Sequence, residues 1–347
     1  MRERLARLRR WRPTPTAVRR AFLGALVANT AIVVTGGAVR LTASGLGCPN
    51  VPKCTDTSLV PTSEMGAHGV IEFSNRMLTF ALAAAVAVAL VTAWRAGRRD
   101  LLRSAAVLVV GIVAQAGLGA VTVITGLNPA TVMAHFLLSM VLIAVAARAY
   151  EIASAAPDRE VPVVRRELRL GAAALLAVVA LTLFAGTVVT GTGPHSGDKD
   201  ATDRLPFDLA TVTHLHADLV FLLIGLSIGL LVAVAAVAGR GVLFRRAVVL
   251  LAVVLAQGTI GYTQYATDLP VVLVGVHILG AALVWIAALR LALGLNPRLA
   301  QPSPPLPLSA SSLVSKTGLP PEQETLNSTS PESERNLARA SRPGPGR

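Results

Sequence analysis

The feature that most constrains this chain is a series of eight apolar runs, each close to or above the roughly 20 residues that a helix needs to cross a hydrocarbon layer. They fall at about 21–39, 68–94, 104–125, 130–147, 170–190, 210–238, 247–265 and 271–292. With 53% hydrophobic and only 15% charged residues, and a mean hydropathy of +0.61, a water-soluble enzyme is excluded. The net charge of +13 does not indicate nucleic acid, because 27 of the 32 Lys and Arg residues fall on one side of this topology. Aromatic residues are 4% of the chain, too few for a base-stacking platform.

The basic clusters set the orientation. Arg2 to Arg20, then Arg95 to Arg103, Arg148 to Arg169 and Arg240 to Arg246 alternate with loops that hold only Arg40, Lys53, Lys199 and Arg204. Excess positive charge stays cytoplasmic, so both termini are expected there, in a multi-pass protein of the cell membrane. No cleavage-site pattern follows the first apolar run, which is therefore expected to be an uncleaved helix. The expected organisation is a basic cytoplasmic terminus at 1–20, an N-terminal four-helix module at 21–147, a cytoplasmic linker at 148–169 and a C-terminal module at 170–292. A disordered tail is expected at 293–347, where proline, serine and glutamate replace apolar residues.

The halves repeat. An offset of 142 aligns Ala114-Gln115 with Ala256-Gln257, Gly119 with Gly261, Leu127 with Leu269 and His135 with His277. An offset of 141 brings Asn75 onto His216, and one near 150 brings Gly36-Gly37 onto Gly186-Thr187. Four helices per repeat return the chain to the same side, so the fold class expected is an all-α integral membrane protein with eight transmembrane helices in two parallel-repeat four-helix bundles.

All six histidines lie toward the outer side. His135, His216 and His277 each fall some five to seven residues inside a helix end, a depth on the order of 10 Å. Histidine at membrane depth is costly without a partner, and three at one depth, two of them in repeat register, point to a ligand set more than to chance hydrogen bonds. Heme suits them best, since neutral imidazoles on facing helices can clamp a macrocycle. Zinc is weaker, because no cysteine or carboxylate joins them at ligand spacing, and covalent attachment is excluded by the absence of Cys-x-x-Cys-His. Glu72, four residues before Arg76, reads either as an ion-pair partner or, at that depth, as a proton-transfer carboxylate. Cys48 and Cys54 occupy the first outer loop, where a disulfide is expected, as a loop staple or as a redox pair.

The run Thr35-Gly36-Gly37-Ala38-Val39-Arg40-Leu41-Thr42-Ala43-Ser44-Gly45-Leu46-Gly47-Cys48-Pro49, then Ile71-Glu72-Phe73-Ser74-Asn75-Arg76, then His135, His216 and His277, resembles the heme A synthase (COX15/CtaA) family across about residues 21–292. That resemblance implies an eight-helix oxidoreductase acting on a CH group, which turns the C8 methyl of heme O into the formyl of heme A for cytochrome oxidase. It implies Glu72 as the catalytic carboxylate, His135 at the iron of the substrate heme, His216 and His277 as axial ligands of a heme b cofactor, and a Cys48–Cys54 disulfide. It also implies heme O as substrate, and as partners the enzyme that makes heme O and the assembly pathway of the oxidase, in contact with membrane lipid.

The chain departs from the family pattern at one ligand: the position before Arg76 is commonly histidine and here is Asn75. His68 could stand in, Asn75 could hold a water, or the iron could be five-coordinate on His135; the last two together are the favoured expectation. His216 is favoured over His214 by the repeat register. Arg40 and Arg76 are candidates for heme propionates or for structural pairing. The rival functions are a non-catalytic dihaem b-type electron carrier, which has no use for Glu72 at a substrate edge, and a small repeat-built transporter, which would require charges at the bilayer midplane.

Overall fold

A computed structural model describes residues 12–155 and 165–296, all within one compact unit. The first eleven residues, residues 156–164 of the expected linker, and the expected tail from residue 297 onward lie outside the described residues.

Eight helices follow one another: α1 (Pro15–Leu41), α2 (Gly66–Arg95, entered through a single 3₁₀ turn at Ser63–Met65), α3 (Arg99–Ile124), α4 (Pro129–Ser154), α5 (Arg166–Thr192), α6 (Leu209–Ala238), α7 (Val242–Ala266) and α8 (Val271–Leu295). Each is long and apolar enough to cross a membrane, and no strand occurs among the described residues. This is an all-helical, multi-pass membrane fold, as the apolar runs predict.

Several helices outrun the apolar stretches, because capping and not hydropathy ends a helix. Thr14 accepts the Ala17 N–H at 3.2 Å with Pro15 in the first turn, so α1 starts six residues before Ala21 and takes Arg19 and Arg20 into the helix. α7 also starts before its apolar run and takes in Arg245 and Arg246, although no side chain caps it at Gly241. Their long stems let the charged ends reach past the apolar layer.

Packing divides the helices into two rings. In the first, α1 packs on α2, α2 on α3, α3 on α4 and α4 back on α1; α5 to α8 repeat the pattern. The rings meet where α8 packs on α1 and α4, and α4 packs on α5. Two polar ties reinforce the seam. The Trp285 indole N–H donates to the Met140 carbonyl at 2.8 Å, and Glu151 takes Arg246 at 2.6 Å and Arg290 at 2.7 Å. Glu151 is only about a tenth exposed, so removing its partners would strand a buried charge at a cost of about 3–5 kcal/mol.

The sequence repeat becomes a structural one. Gly126 and Leu127 turn α3 into α4 with φ of 62° and 63°; Asp268 and Leu269 turn α7 into α8 with φ of 59° and 59°. In both turns the leucine N–H closes on a carbonyl five residues back, Leu127 on Thr122 at 2.9 Å and Leu269 on Gln264 at 2.8 Å. These left-handed residues let a very short link reverse the chain, which keeps α3 against α4 and α7 against α8.

The apolar core is concentrated at the arginine-rich end. Phe22, Leu101, Leu108, Ile143, Ile152, Leu175, Leu250 and Leu291 are fully enclosed there. Toward the end that carries the disulfide loop, no residue of 73–81, 113–121, 130–139, 209–222, 255–266 or 271–279 is buried. Those stretches hold the polar layer, so one end of each ring is packed for stability and the other is spaced around histidine and amide side chains.

Candidate functional site

In the second ring, His216 of α6 and His277 of α8 face each other with ring centres 6.5 Å apart. Two imidazoles on opposite sides of one iron, each with a metal–nitrogen bond of about 2 Å, place their ring centres roughly 6 Å apart, so the spacing fits a shared metal. The tautomer of His216 follows from its partner. A carbonyl only accepts, so Nδ1–H donates to the Thr182 carbonyl at 3.1 Å, leaving Nε2 as a lone-pair donor. Both rings rest on glycines of the preceding helix. A Cβ on Gly186 would stand 3.2 Å from the His216 ring, and one on Gly261 would stand 3.0 Å from His277. The backbone of His277 is clamped as well, since Gln257 of α7 donates to its carbonyl at 2.7 Å. The buried Nδ1 of His277 has no hydrogen-bond partner.

The first ring repeats this construction with one change. His135 of α4 lies against Gly119, where a Cβ would stand 3.3 Å from the ring, and Gln115 donates to its carbonyl at 3.0 Å and to Ser139 at 2.7 Å. On α2 the side chain against Gly36 is Asn75, its amide nitrogen 4.0 Å from where a glycine Cβ would be. Asn75 thus takes the place that His216 takes on α6. The Nδ1 of His135 and the Oδ1 of Asn75 are buried without partners. Among the described residues no group of three or more His, Cys, Asp or Glu side chains could hold a metal ion. The residues present therefore fit a macrocycle that brings its own equatorial nitrogens, with two protein imidazoles in the second ring and one in the first.

Glu72 lies one turn before Asn75 and is 5% exposed. It pairs with Arg76 through both Nε, at 3.1 Å, and Nη2, and it accepts the Cys48 N–H at 2.6 Å. Arg76 in turn donates to the carbonyls of Cys48 at 2.7 Å and Asn50 at 2.9 Å. Cys48 and Cys54 are joined and both fully enclosed. The first loop is thus tied to α2 by one carboxylate and one guanidinium, a burial that fits loop stapling better than an accessible redox bond.

The remaining histidines lie apart from this layer. His68 is exposed, with Nδ1 2.9 Å from the Ser44 hydroxyl, and His214 is exposed on α6. His195 donates through Nε2 to the Leu269 carbonyl at 3.0 Å. Arg40 spends its guanidinium on the carbonyls of His195, at 2.6 Å, and Thr190, at 3.0 Å, so it and Arg76 are structural ties in this fold. A cleft of about 480 Å³ between the Arg40 end of α1 and the 194–204 loop also holds Lys199 and Arg204, but no histidine of the layer lines it.

Sequence reasoning aligned Gln115 with Gln257 without a role for either, and missed Thr182 and the glycine cradles. The signal was present: a glycine recurs sixteen residues before both His135 and His277, with the glutamine four residues earlier.

The profile of the cytochrome oxidase assembly protein family, COX15-CtaA, matches residues 19–289. Proteins named heme A synthase from Listeria welshimeri, Listeria monocytogenes and Listeria innocua are 27% identical to this chain over 189 residues, which are 53% of the chain. The chain spans about 60% of the length of those relatives. Because the family profile takes in nearly the whole helical region, glycine cradles and histidines included, the chain belongs to the COX15-CtaA cytochrome oxidase assembly protein family.

Proposed function

We propose that the chain is a heme A synthase, an oxidoreductase that converts the C8 methyl of heme O to a formyl group for heme A and cytochrome oxidase. The observation that carries this is the His216–His277 pair, 6.5 Å apart, with the His216 Nδ1 proton fixed by a carbonyl, beside a first ring built alike but one imidazole short. His216 and His277 would hold a heme b cofactor, which would supply one-electron transfer with little reorganisation. His135 holds the substrate's iron, and the ring of helices around it orients the macrocycle edge toward Glu72.

Two successive hydroxylations give a geminal diol that loses water. Each stage replaces one C–H bond of the methyl carbon with a C–O bond; water supplies the oxygen, two electrons pass to an electron acceptor, and two protons are released, one from the carbon and one from the water. Glu72 is the group that accepts a proton or positions water at that carbon. Arg76 and the Cys48 N–H hold its two oxygens in place. The disulfide end faces outward, both termini are cytoplasmic and the membrane is the cell membrane, in keeping with the arginine-rich opposite end. The two rings correspond to a substrate module at 21–147 and a cofactor module at 170–292. The partners are the enzyme that supplies heme O and the oxidase assembly pathway that receives heme A.

The test is expression in a membrane that contains heme O but has no heme A synthase, followed by extraction and chromatography of the hemes. Heme A or its hydroxylated precursor should appear only with this chain. Unaltered heme O, where a positive control converts it, overturns the proposal. One observation favours a second reading: Glu72 is fully engaged by Arg76 and Cys48, as a purely structural carboxylate would be, and that suits a dihaem b-type electron carrier.

A further inference from the structure

The two rings differ at one position of the polar layer, and that difference sets the coordination of the iron in each. In the second ring both cradles carry imidazole: His216 against Gly186 and His277 against Gly261. In the first ring the cradles carry Asn75 against Gly36 and His135 against Gly119. No other described side chain supplies the missing nitrogen. His68 stands seven residues earlier on α2, about 10 Å along the axis. It is exposed and engaged by Ser44. Both cysteines are consumed in the disulfide, and Arg76 is committed to Glu72 and to loop carbonyls. A carboxamide is a poor ligand for heme iron, yet its oxygen is a good hydrogen-bond acceptor, and here Oδ1 is buried with no partner.

We propose that the first ring binds its macrocycle through His135 alone and keeps the opposite iron position open to a small exogenous ligand such as water, which the Asn75 amide oxygen holds by a hydrogen bond. Asn75 is thereby a positioning residue. The inference rests on the heme reading above and deepens it. The second ring clamps its heme from both sides and keeps it, whereas the first grips by one bond and can release a macrocycle after it has been altered. One-sided ligation suits a substrate that must exchange, and two-sided ligation suits a resident electron relay.

The test uses the full-length chain in detergent, loaded with two equivalents of heme b as a stand-in for heme O, and reads spin state and carbon monoxide binding after reduction. About half of the heme should be high-spin and bind carbon monoxide, with the other half low-spin and inert. Asn75→His should abolish carbon monoxide binding and render all the heme low-spin while both equivalents stay bound. His135→Ala should remove the carbon-monoxide-binding heme and leave the low-spin one, which also shows that the variant folds. Two bound hemes that are both low-spin and inert in the unaltered chain overturn this inference and leave the heme reading standing. So does an Asn75→His variant that binds carbon monoxide as before. A chain that takes up only the low-spin equivalent has no heme site in the first ring, and then the inference and the substrate assignment fail together.

Discussion

The two rings share a frame and differ in what they fasten to it. In both, glycines carry the polar layer, a glutamine holds the backbone of the α4 or α8 histidine, and a left-handed turn at Leu127 or Leu269 sets the hairpin. Only the first ring has Glu72, Arg76 and the disulfide loop; at the repeat offset that aligns Asn75 with His216, the second has Thr213 and Ala217 in the places of Glu72 and Arg76. The second ring secures its loop differently. Arg204 donates to the carbonyls of Gly193 at 2.9 Å and Ala201 at 3.0 Å, and Arg40 reaches in from α1. The repeat thus supplies two like frames of helices and glycines. In this chain a carboxylate lies in one frame and a second imidazole in the other, which is the division expected on the proposed reading if one ring performs chemistry and the other moves electrons.

The largest expected effect breaks the second ring. His277→Ala or His216→Ala removes one of the two proposed heme ligands and should eliminate the low-spin heme spectrum while the amount of protein in the membrane changes little. Retained low-spin heme in both variants would mean that His214 or another site binds it.

Glu72→Gln tests the first ring. The amide can still accept the Cys48 N–H, so the loop and the heme content should persist while conversion of heme O falls by about 10²–10⁴-fold. Normal output of heme A from this variant would reduce Glu72 to a loop anchor and make the rings alike in function.

How much of this was legible beforehand varies with the range of the interaction. The eight helices follow from local hydropathy, and the Glu72–Arg76 pair from i, i+4 spacing, because both are set within one helix. His216 stands out against His214 through the repeat, and the structure places it, and not His214, opposite His277. The start of α1 was misplaced because Thr14 and Pro15 cap a turn that hydropathy excludes. Wholly illegible were the backbone partners: that Glu72 would take the Cys48 N–H, or Arg40 the carbonyls of His195 and Thr190, depends on how loops fold over helix ends. Backbone groups carry no sequence signature.

A smaller effect sharpens the comparison at the cradles. Gly261→Ala brings a methyl to 3.0 Å from the His277 ring, and Gly119→Ala brings one to 3.3 Å from His135. On the proposed reading the first must push a ring that iron would tie to His216, so it should broaden or shift the low-spin signal. The second moves a ring with no opposing imidazole and should change heme spectra less. Equal perturbation in both variants would argue that the two histidines are held with equal rigidity.

The smallest effect concerns how the equivalent helices α2 and α6 begin. α2 has no side-chain cap at Met65 and is held by the disulfide loop, whereas α6 has Asp208, which accepts both the N–H and the hydroxyl of Thr211 at 2.8 Å. Those two bonds, the backbone one first, hold the Asp208 carboxyl below its ordinary value. A carboxylate with a depressed folded-state pKa stabilises the fold fully above its unfolded value of about 4, and the contribution is lost as pH falls through the folded value. Asp208→Asn keeps an acceptor for Thr211 but cannot titrate. Thermal unfolding between about pH 6 and pH 3 should therefore fall slightly more steeply for the unaltered chain than for the variant. Parallel curves would show that the start of α6, like that of α2, is fixed by the loop in front of it and not by its own cap.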